Sequence, residues 1–445
     1  MRDIFVTLLI LGPLLFAFTR PWLGVALYVF VSVGVPHQMT WGFATTLPFA
    51  QVVAIVTLLA LIFSREPKRF PITGLTVTML AFFAWMTVTT LFALEPQPSW
   101  EKWYLVFKIM FMVFVALVIV QEKKHIEWLM AALVLTVGFY AVKGGIWTLL
   151  GGGGRVYGPP GGFISENNSF ALAVVMTIPL VYYFYLRVND RWIKRGLLLM
   201  MVLCSASALG SFSRGALLAI SAMAVMLWWK SKQKMALAVG IVLLIPLLLL
   251  VMPEQWGERM STIQTYEQDN SAMTRLMAWE TMFSIAKHRF LGGGFSIASE
   301  WIYKMYSPYP DMGSPVAHSI YFAVLGEHGF IGLGLFLMIG WISLRTADGI
   351  VNATQSIPDL RWANELARMI KVSLVGFAVG GAFLSMQYFE MPYFLLVALT
   401  AMRILVEREA KPALVWKEQG PKTIQTGVVG TTSSTARFER TLGRG

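Results

Sequence analysis

Long apolar runs separated by short polar connections make up most of the chain. A helix that crosses a membrane needs about 20 predominantly apolar residues, and somewhat fewer where neighbouring helices bury it. Runs of this kind lie at 3–19, 22–35, 47–63, 73–94, 103–120, 127–150, 168–187, 196–210, 214–229, 235–252, 317–344, 366–387 and 391–406. Those at 22–35, 196–210 and 391–406 are the shorter ones. The pattern predicts an all-α polytopic membrane protein with about twelve or thirteen transmembrane helices.

One polar stretch, 253–316, is too long to be a hairpin between two membrane helices. It contains cations, aromatic residues and glycines and ends just before His318, where the next apolar run begins. We therefore divide the chain into N-terminal membrane helices (1–252), a large loop carrying short helices (253–316), C-terminal membrane helices (317–408) and a cytoplasmic tail (409–445). The tail is polar and rich in Thr, Ser and Gly, which predicts a disordered segment.

The composition agrees with membrane embedding. Hydrophobic residues make up 56% of the 445 residues and charged residues 13%, whereas a soluble chain of this length needs more charge to coat its surface. The net charge of +12 fits basic cytoplasmic loops, and no basic helical face indicates nucleic-acid binding. The single Cys204 lies in an apolar run, so neither a disulfide framework nor a cysteine metal site is expected.

Lys and Arg cluster in alternate connections, and such clusters mark the cytoplasmic side of membrane proteins. They lie at 65–69, 122–125, 187–195, 230–234, 345–371 and after Arg403. The connection 151–168, the turn at Arg214 and the large loop therefore face outward. The first apolar run has no signal-peptide cleavage site after it and is expected to be retained. The N-terminus lies outside if every span is real, and inside if one early span is lost.

Three arginines lie in the outward connections, where the orientation rule predicts few cations. Arg155 lies in a glycine-rich connection, Arg214 between two apolar runs and Arg275 in the large loop. A guanidinium group at a membrane edge is costly unless it meets an anion, and its planar donors match phosphate oxygens in bidentate pairs. The three together predict a pyrophosphate site at headgroup level. Any one of them alone is more readily explained by a lipid headgroup contact or a helix cap.

A histidine begins the apolar run that follows the large loop. His318 lies at a helix start near cations, which keep an imidazole neutral and able to accept a proton. A histidine that only caps the helix is the alternative. His328 lies deeper in the same run and is expected to pack between helices. The nearest carboxylate pair, Glu267 and Asp269, lies in the polar stretch where carboxylates are usually solvated, so no metal site is expected.

The segment TRLMAWETMF…FLGGGFS…AHSIYFAVLGEHGFIGLGLF resembles the shared region of the O-antigen ligase and polymerase superfamily. That family has an Arg with a Trp four residues later, then Gly-x-Gly, then His-Asn or His-Ser at a helix start, and then Glu-x-Gly. The matching positions are Arg275 and Trp279, Gly292–Gly294, His318 and Ser319, and Glu327 and Gly329. The stretch Ser211–Ala216 resembles the upstream arginine motif. Lys287–Arg289 stands where the family often has a proline.

Near the N-terminus, RPWLGVALYVF and TWGFATTLPFAQ are similar to ligases of exosortase-associated O-glycosylation systems. The resemblance implies a membrane glycosyltransferase of GT-C-like fold in the bacterial inner membrane, with its active site facing the periplasm. It would transfer an O-antigen glycan from undecaprenyl pyrophosphate to a sugar hydroxyl of the lipid A–core, with inversion and without a metal or other cofactor. The expected partners are these two lipids and the surrounding membrane lipids, with the protein a monomer.

The same resemblance assigns roles to individual residues. His318 would take the proton from the acceptor hydroxyl as general base. Arg214 and Arg275 would neutralise the pyrophosphate leaving group, as a metal does elsewhere. The expected substrate contacts are Arg155, Arg214, Arg275, Trp279 and Ser319.

Two other functions fit the same membrane setting. A polymerase or a protein O-oligosaccharyltransferase of the same superfamily would use the same donor with another acceptor. A transporter of lipid-linked sugars would need ionisable residues along several spans. Mid-span charges are few, the main ones being Lys108, Lys143 and Glu390. The large outward loop therefore favours catalysis at one face of the membrane.

Overall fold

All regular structure in the described part of the chain is helical. The computed structural model describes residues 1–65, 67–151, 154–230 and 270–419. Within these ranges the α-helices are α1 (Arg2–Ala17), α2 (Pro21–Gly34), α3 (Phe49–Phe63), α4 (Gly74–Leu91), α5 (Pro96–Ile119), α6 (Lys123–Leu149), α7 (Asn167–Arg187), α8 (Arg191–Gly210), α9 (Arg214–Lys230), α10 (Asn270–His288), α11 (Glu300–Tyr306), α12 (Ile320–Thr354), α13 (Arg361–Gly380) and α14 (Glu390–Gln419).

Seven segments of the described chain are long and apolar enough to cross a membrane. They are α4, α5, α6, α7, α8, α12 and the segment Pro358–Phe383, which contains α13. Shorter apolar helices at Pro21–Gly34, Phe49–Phe63 and Arg214–Met226 coincide with further predicted spans. The chain is therefore a multi-pass, all-α membrane protein. The predicted run 235–252 lies outside the described residues, so the total of about twelve or thirteen spans stays a prediction.

The large loop and the tail are described in part. Residues 270–316 contain α10 and α11. With 19 residues, α10 is longer than the short helices that the sequence predicts for this loop. At the other end, α14 runs to Gln419, so helix continues past residue 409, where the sequence predicts the tail to begin. Residues 253–269 and 420–445 lie outside the described part.

Local sequence signals set several helix boundaries. Proline opens α2 and α5, where its missing N–H is not needed. Thr73 and Thr76 form a capping box at the start of α4, each hydroxyl accepting a hydrogen bond from the other residue's N–H. Asp190 accepts from the N–H groups of Trp192 and Ile193 at the start of α8. These contacts satisfy N–H groups that a helix start leaves without an internal partner.

The N-terminus and several connections lie at one end of the helical bundle, which we call the upper face. The Arg2 guanidinium lies 4.3 Å from the centroid of an indole in the loop 35–48. The Asp3 carboxylate accepts two backbone hydrogen bonds from the same loop. The connection 154–166 packs against that loop through its glycines. The N-terminus therefore shares its end of the bundle with the connection 154–166, which the sequence predicts to face outward.

α12 is broken at a glycine within a candidate membrane span. Gly329 has φ 67° and ψ −171°, far from helical values. The turn Gly292–Gly294 lies in the break: the N–H of Gly293 donates to the Gly326 carbonyl and that of Gly294 to the Glu327 carbonyl, both at 2.8 Å. A broken helix exposes backbone polar groups that need partners where water is scarce. The Gly-x-Gly and Glu-x-Gly motifs are thus two halves of one backbone junction.

Arg289 holds this turn in place. Its Nε donates to the Gly292 carbonyl at 3.1 Å, and its Nη2 donates to the Phe92 carbonyl at 2.8 Å. Arg289 belongs to Lys287–Arg289, the segment that departs from the family pattern. Two guanidinium hydrogen bonds therefore anchor the turn in this chain, which has no proline before it.

A polar network is buried beside the break. His328 is fully buried, with Nε2 2.7 Å from the Tyr388 hydroxyl and Nδ1 2.7 Å from the Thr89 hydroxyl. The Tyr388 hydroxyl donates to the Glu327 carboxylate at 2.6 Å, and Gln387 Nε2 donates to it at 3.3 Å. Buried polar groups are stable where their hydrogen bonds are made. His328 therefore packs between helices and joins α4, α12 and the segment before α14.

Replacing Gly329 by alanine is expected to destabilise the protein. A Cβ at this position would lie 2.3 Å from the Phe290 carbonyl oxygen, and the left-handed φ is itself unfavourable for alanine. We expect a loss of about 1–3 kcal/mol in the free energy of unfolding, measured as a lower thermal midpoint of the purified protein in detergent. Gly334→Ala, in the same helix with open space around it, should leave the midpoint unchanged or raise it. Equal midpoints for the two variants would contradict a strained break at Gly329.

Candidate active site

The start of α12 presents His318 at the upper face. His318 is half-buried and has φ 44°, a left-handed conformation that the surrounding structure must hold in place. Ser319 is buried, and its hydroxyl accepts from the Phe322 N–H at 3.5 Å. The Ser319 side chain therefore caps α12, and its expected contact with substrate stays a prediction. The Tyr321 hydroxyl donates to the Ala378 carbonyl at 2.7 Å and fixes the start of α12 against α13.

α10 brings Arg275 to the same region through Trp279. The Trp279 indole N–H donates to the Ala317 carbonyl at 2.7 Å. Its ring stacks on Phe322, with centroids 4.9 Å apart and 6° between the planes. Residues four apart lie on one face of a helix, so Arg275 lies on the side of α10 that faces His318. Trp279 therefore positions α10 through contacts within the protein, and its expected contact with substrate stays a prediction.

The surroundings of His318 keep its imidazole neutral. Burial lowers the pKa of His318 below its ordinary value of about 6.5, the Arg275 guanidinium lowers that pKa further, and the Glu166 carboxylate opposes both. Arg275 and Glu166 therefore both lie within electrostatic range of the ring. A neutral imidazole at pH 7 can accept a proton. The sequence interpretation missed Glu166, and the available signal was an acidic side chain directly before a helix in an outward connection.

Arg214 is the first residue of α9 and lies beside the same contact. The Cβ position of Gly215 is 3.6 Å from the Phe383 Cβ. The Phe383 ring in turn lies 6.2 Å from the Trp279 ring, measured between centroids. The Nε atoms of Arg214 and Arg275 are both buried. Phe383 thus connects the start of α9, which carries Arg214, to Trp279 of α10, one helical turn after Arg275.

The connection 154–166 completes this part of the upper face. Asn167, which follows it, donates from Nδ2 to the Ser211 carbonyl at 2.8 Å, so the starts of α7 and α9 adjoin. Arg155 is exposed, and the residue after it donates its N–H to the last carbonyl of α8 at 3.2 Å. Arg155 therefore lies at the edge of the cluster formed by the histidine and the other two arginines.

Three helices, α7, α9 and α12, begin at this cluster. Helix starts carry partial positive charge and N–H groups that point outward. At the start of α9, the Ser213 hydroxyl accepts a hydrogen bond from the N–H of Ala216 at 3.2 Å. Together with Arg214 and Arg275, these helix starts make a region in which an anion is stabilised. The arrangement can hold a phosphate-bearing group beside a neutral imidazole.

Metal-binding residues do not come together in the residues that the structure describes. No group of three or more His, Cys, Asp and Glu side chains with the geometry of a metal site is found there. Glu267 and Asp269, the carboxylate pair considered from the sequence, lie outside the described residues. The positive charge that the described site offers to an anion comes from guanidinium groups and helix starts.

Two family models match the chain, in two consecutive regions. Residues 1–189 match a family of unknown function, DUF5935. Residues 199–337 match the O-antigen ligase family, and this region contains Arg214, Arg275 and His318. The chain belongs to the O-antigen ligase and polymerase superfamily. The resemblance seen in the sequence motifs is therefore confirmed. No curated protein sequence matches the chain.

Membership in the O-antigen ligase and polymerase superfamily indicates the general activity. It supports an enzyme of the ligase or polymerase type that acts on lipid-linked substrates in the membrane. The region matched to the family of unknown function also reaches the site, because residues 1–189 include Glu166. Both matched regions therefore contribute to the upper face around His318.

Proposed function

We propose that the protein is an O-antigen ligase that transfers a glycan from undecaprenyl pyrophosphate to a sugar hydroxyl of the lipid A–core. The observation that carries the proposal is that His318 lies within electrostatic range of Arg275, which helps to lower the pKa of His318. Contacts through Trp279 and Phe383 connect this pair to the helix start that carries Arg214. A base for the acceptor and cations for a pyrophosphate leaving group are two components that glycosyl transfer needs. The superfamily match places the same three residues in the O-antigen ligase region.

In the proposed reaction, His318 removes the proton of the acceptor hydroxyl while its oxygen attacks the anomeric carbon of the donor. The new glycosidic bond forms as the bond from that carbon to the pyrophosphate oxygen breaks. Arg214, Arg275 and the helix starts stabilise the negative charge that develops on the departing pyrophosphate. Attack opposite the leaving group inverts the configuration at the anomeric carbon. The proton on His318 then passes to solvent at the upper face.

The charge pattern supports a periplasmic position for the upper face. The basic connections 65–69, 122–125 and 187–195 follow helices that run away from the upper face, so they belong at the opposite end of the bundle. Basic connections of this kind are retained on the cytoplasmic side. In the proposal, the glycan donor and the acceptor therefore meet His318 on the outer side of the inner membrane.

The rate of transfer is expected to follow the protonation of His318. Because the pKa of His318 is lowered, kcat/KM should rise with pH below about 6.5 and be level near pH 7. Arg275→Gln removes a cation that lowers this pKa, so the acid limb should move to higher pH. Glu166→Gln removes the opposing carboxylate, so the limb should move to lower pH. The pH–rate profile of each variant in proteoliposomes measures both shifts.

Lys304→Gln is the control for this series, because Lys304 is an exposed cation of the large loop that pairs with Glu300 at 2.7 Å. Its acid limb should coincide with that of the unmodified protein. If the acid limb of the pH–rate profile has the same midpoint in all three variants, His318 is not the base whose protonation causes that limb.

Transfer is expected to continue in the presence of EDTA, because the proposed leaving-group stabilisation comes from guanidinium groups and helix starts. The measurement is the initial transfer rate with and without the chelator at constant ionic strength. Loss of activity that Mg²⁺ restores would indicate a required metal. Glu267 and Asp269 would then be the first residues to replace.

Reconstitution with a purified lipid-linked glycan tests the proposed function. Lipid A–core, a second lipid-linked glycan and an acceptor protein are supplied in separate assays. Transfer to lipid A–core is the expected result. Elongation of the lipid-linked glycan would identify a polymerase, and transfer to protein would identify an O-oligosaccharyltransferase. Movement of the donor across the bilayer without any glycan transfer would contradict the proposal that the protein is an enzyme and would indicate a transporter.

A further inference from the structure

A cavity lies mainly among helices of the region that matches the family of unknown function. Its volume is about 520 Å³, and it is lined by α2, α3, α5 and the first residue of α14. Residues 161–163 cover it at the upper face. Along α5 the lining runs from Lys102 to Met112, which is about 15 Å at the helical rise per residue. This size is typical of a binding site for a small molecule or part of a lipid.

The lining of the cavity includes charged side chains, two of them on the candidate membrane span α5. Lys102 lies 5.4 Å from the Phe163 ring centroid, and Lys108 lies 4.6 Å from that of Tyr104. No described carboxylate is within ion-pair distance of either ammonium group. Glu390, also in the lining, is 3% exposed, and its Oε2 has no hydrogen-bond partner in the described part of the chain. Ionisable groups inside membrane spans are costly and usually serve a function.

The rest of the lining is mainly apolar and opens to the side of the bundle. Leu105, Phe107, Phe111 and Met112 continue the cavity along α5. Leu105 and Phe111 are exposed at the surface of the helical bundle. A ligand can therefore enter from the membrane with a chain against these side chains and a polar head beside the lysines. Such a ligand is an amphiphile of the bilayer.

We infer that this cavity binds an anionic phosphodiester lipid with a hydroxylated head, such as phosphatidylglycerol. Lys102 and Lys108 bring two ammonium groups into the lining, so a ligand with a negatively charged head is favoured. The phosphate oxygens accept from the two ammonium groups, and a head-group hydroxyl donates to the unpartnered Glu390 oxygen. A choline head offers no such donor. The inference does not rest on the proposed function.

The test uses the full-length protein, purified in detergent and stripped of lipid. Phosphatidylglycerol and phosphatidylcholine of matched chain length are titrated separately, and bound lipid is counted by native mass spectrometry. Phosphatidylglycerol is expected to bind at least tenfold more tightly. Lys102→Gln and Lys108→Gln should each weaken its binding by about tenfold, since each removes a charge-assisted hydrogen bond. Lys143→Gln removes an exposed lysine of α6 and should leave the affinity unchanged.

A second variant tests the site without removing a charge. Ala54 lines the cavity from α3, and Ala54→Phe should fill it and abolish phosphatidylglycerol binding while the lysines stay in place. Equal affinity for the two phospholipids, or unchanged phosphatidylglycerol binding in all three cavity variants, would overturn the assignment. Tighter binding of undecaprenyl phosphate, with displacement of phosphatidylglycerol, would also overturn it and identify the cavity as a polyprenyl site.

Discussion

Replacing His318 by alanine is expected to lower kcat/KM for glycan transfer by about 10²–10⁴-fold, the usual contribution of a positioned general base. The pKa of His318 is lowered by burial and by Arg275, so the imidazole is ready to accept a proton at pH 7. Alanine at this position leaves the acceptor hydroxyl without a base. The measurement is the initial rate of transfer in proteoliposomes that contain equal amounts of each protein.

The matched control for this variant is His288→Ala. His288 is an exposed histidine of the same loop, and its Nδ1 lies 2.8 Å from the Ser284 carbonyl oxygen. It should retain the full rate. The backbone of His318 has φ 44°, a strained conformation that alanine also has to adopt. The thermal midpoints of both variants therefore show whether a loss of activity comes from a loss of folded structure. Transfer by His318→Ala at the rate of the unmodified protein would exclude its role as base.

Arg214→Ala and Arg275→Ala are each expected to lower kcat by about 10²–10³-fold, comparable to the loss of one oxyanion-stabilising donor. The reason is that each guanidinium group offers several donors to the pyrophosphate as its negative charge increases. Lysine at either position keeps the charge but loses the planar donor geometry, so it should restore the rate only in part. If both arginines hold one leaving group, the double variant should lose less than the product of the two single losses.

Steady-state kinetics with the lipid-linked donor provide the measurement, and Lys304→Ala, an exposed cation of the same loop, provides the control. An increase in KM for the donor with unchanged kcat would place the arginines in binding of the ground state rather than in stabilisation of the leaving group. Full activity of both alanine variants would contradict their assignment to the pyrophosphate.

The membrane architecture could be predicted from the sequence because apolar length alone determines a spanning helix. The predicted runs 73–94, 127–150 and 168–187 correspond closely to α4, α6 and α7. The same reasoning could not find the break in α12. Gly329 leaves the helix only because the turn Gly292–Gly294 supplies hydrogen-bond donors there, and that contact joins segments far apart in the chain.

The candidate site was predictable in its residue types more than in its arrangement. His318, Arg214 and Arg275 could be selected by charge and by position in outward connections. Their common location depends on tertiary packing, namely the contacts of Phe383 with the start of α9 and with Trp279 in the middle of α10, which no local pattern encodes. For Ser319 and Trp279 the structure adds hydrogen bonds and ring stacking within the protein that no local pattern encodes. Glu166 emerged only from its electrostatic effect on His318.

Single-turnover transfer by the purified protein tests the central claim most directly. The protein is mixed with a limiting amount of lipid-linked glycan and an excess of lipid A–core, and the glycan product and free undecaprenyl pyrophosphate are measured together. The unmodified protein should release one undecaprenyl pyrophosphate for each glycan joined to lipid A–core. In the same time His318→Ala should bind the donor but release almost no undecaprenyl pyrophosphate. Absence of both products with the unmodified protein, or equal release by His318→Ala, would contradict a transferase centred on His318.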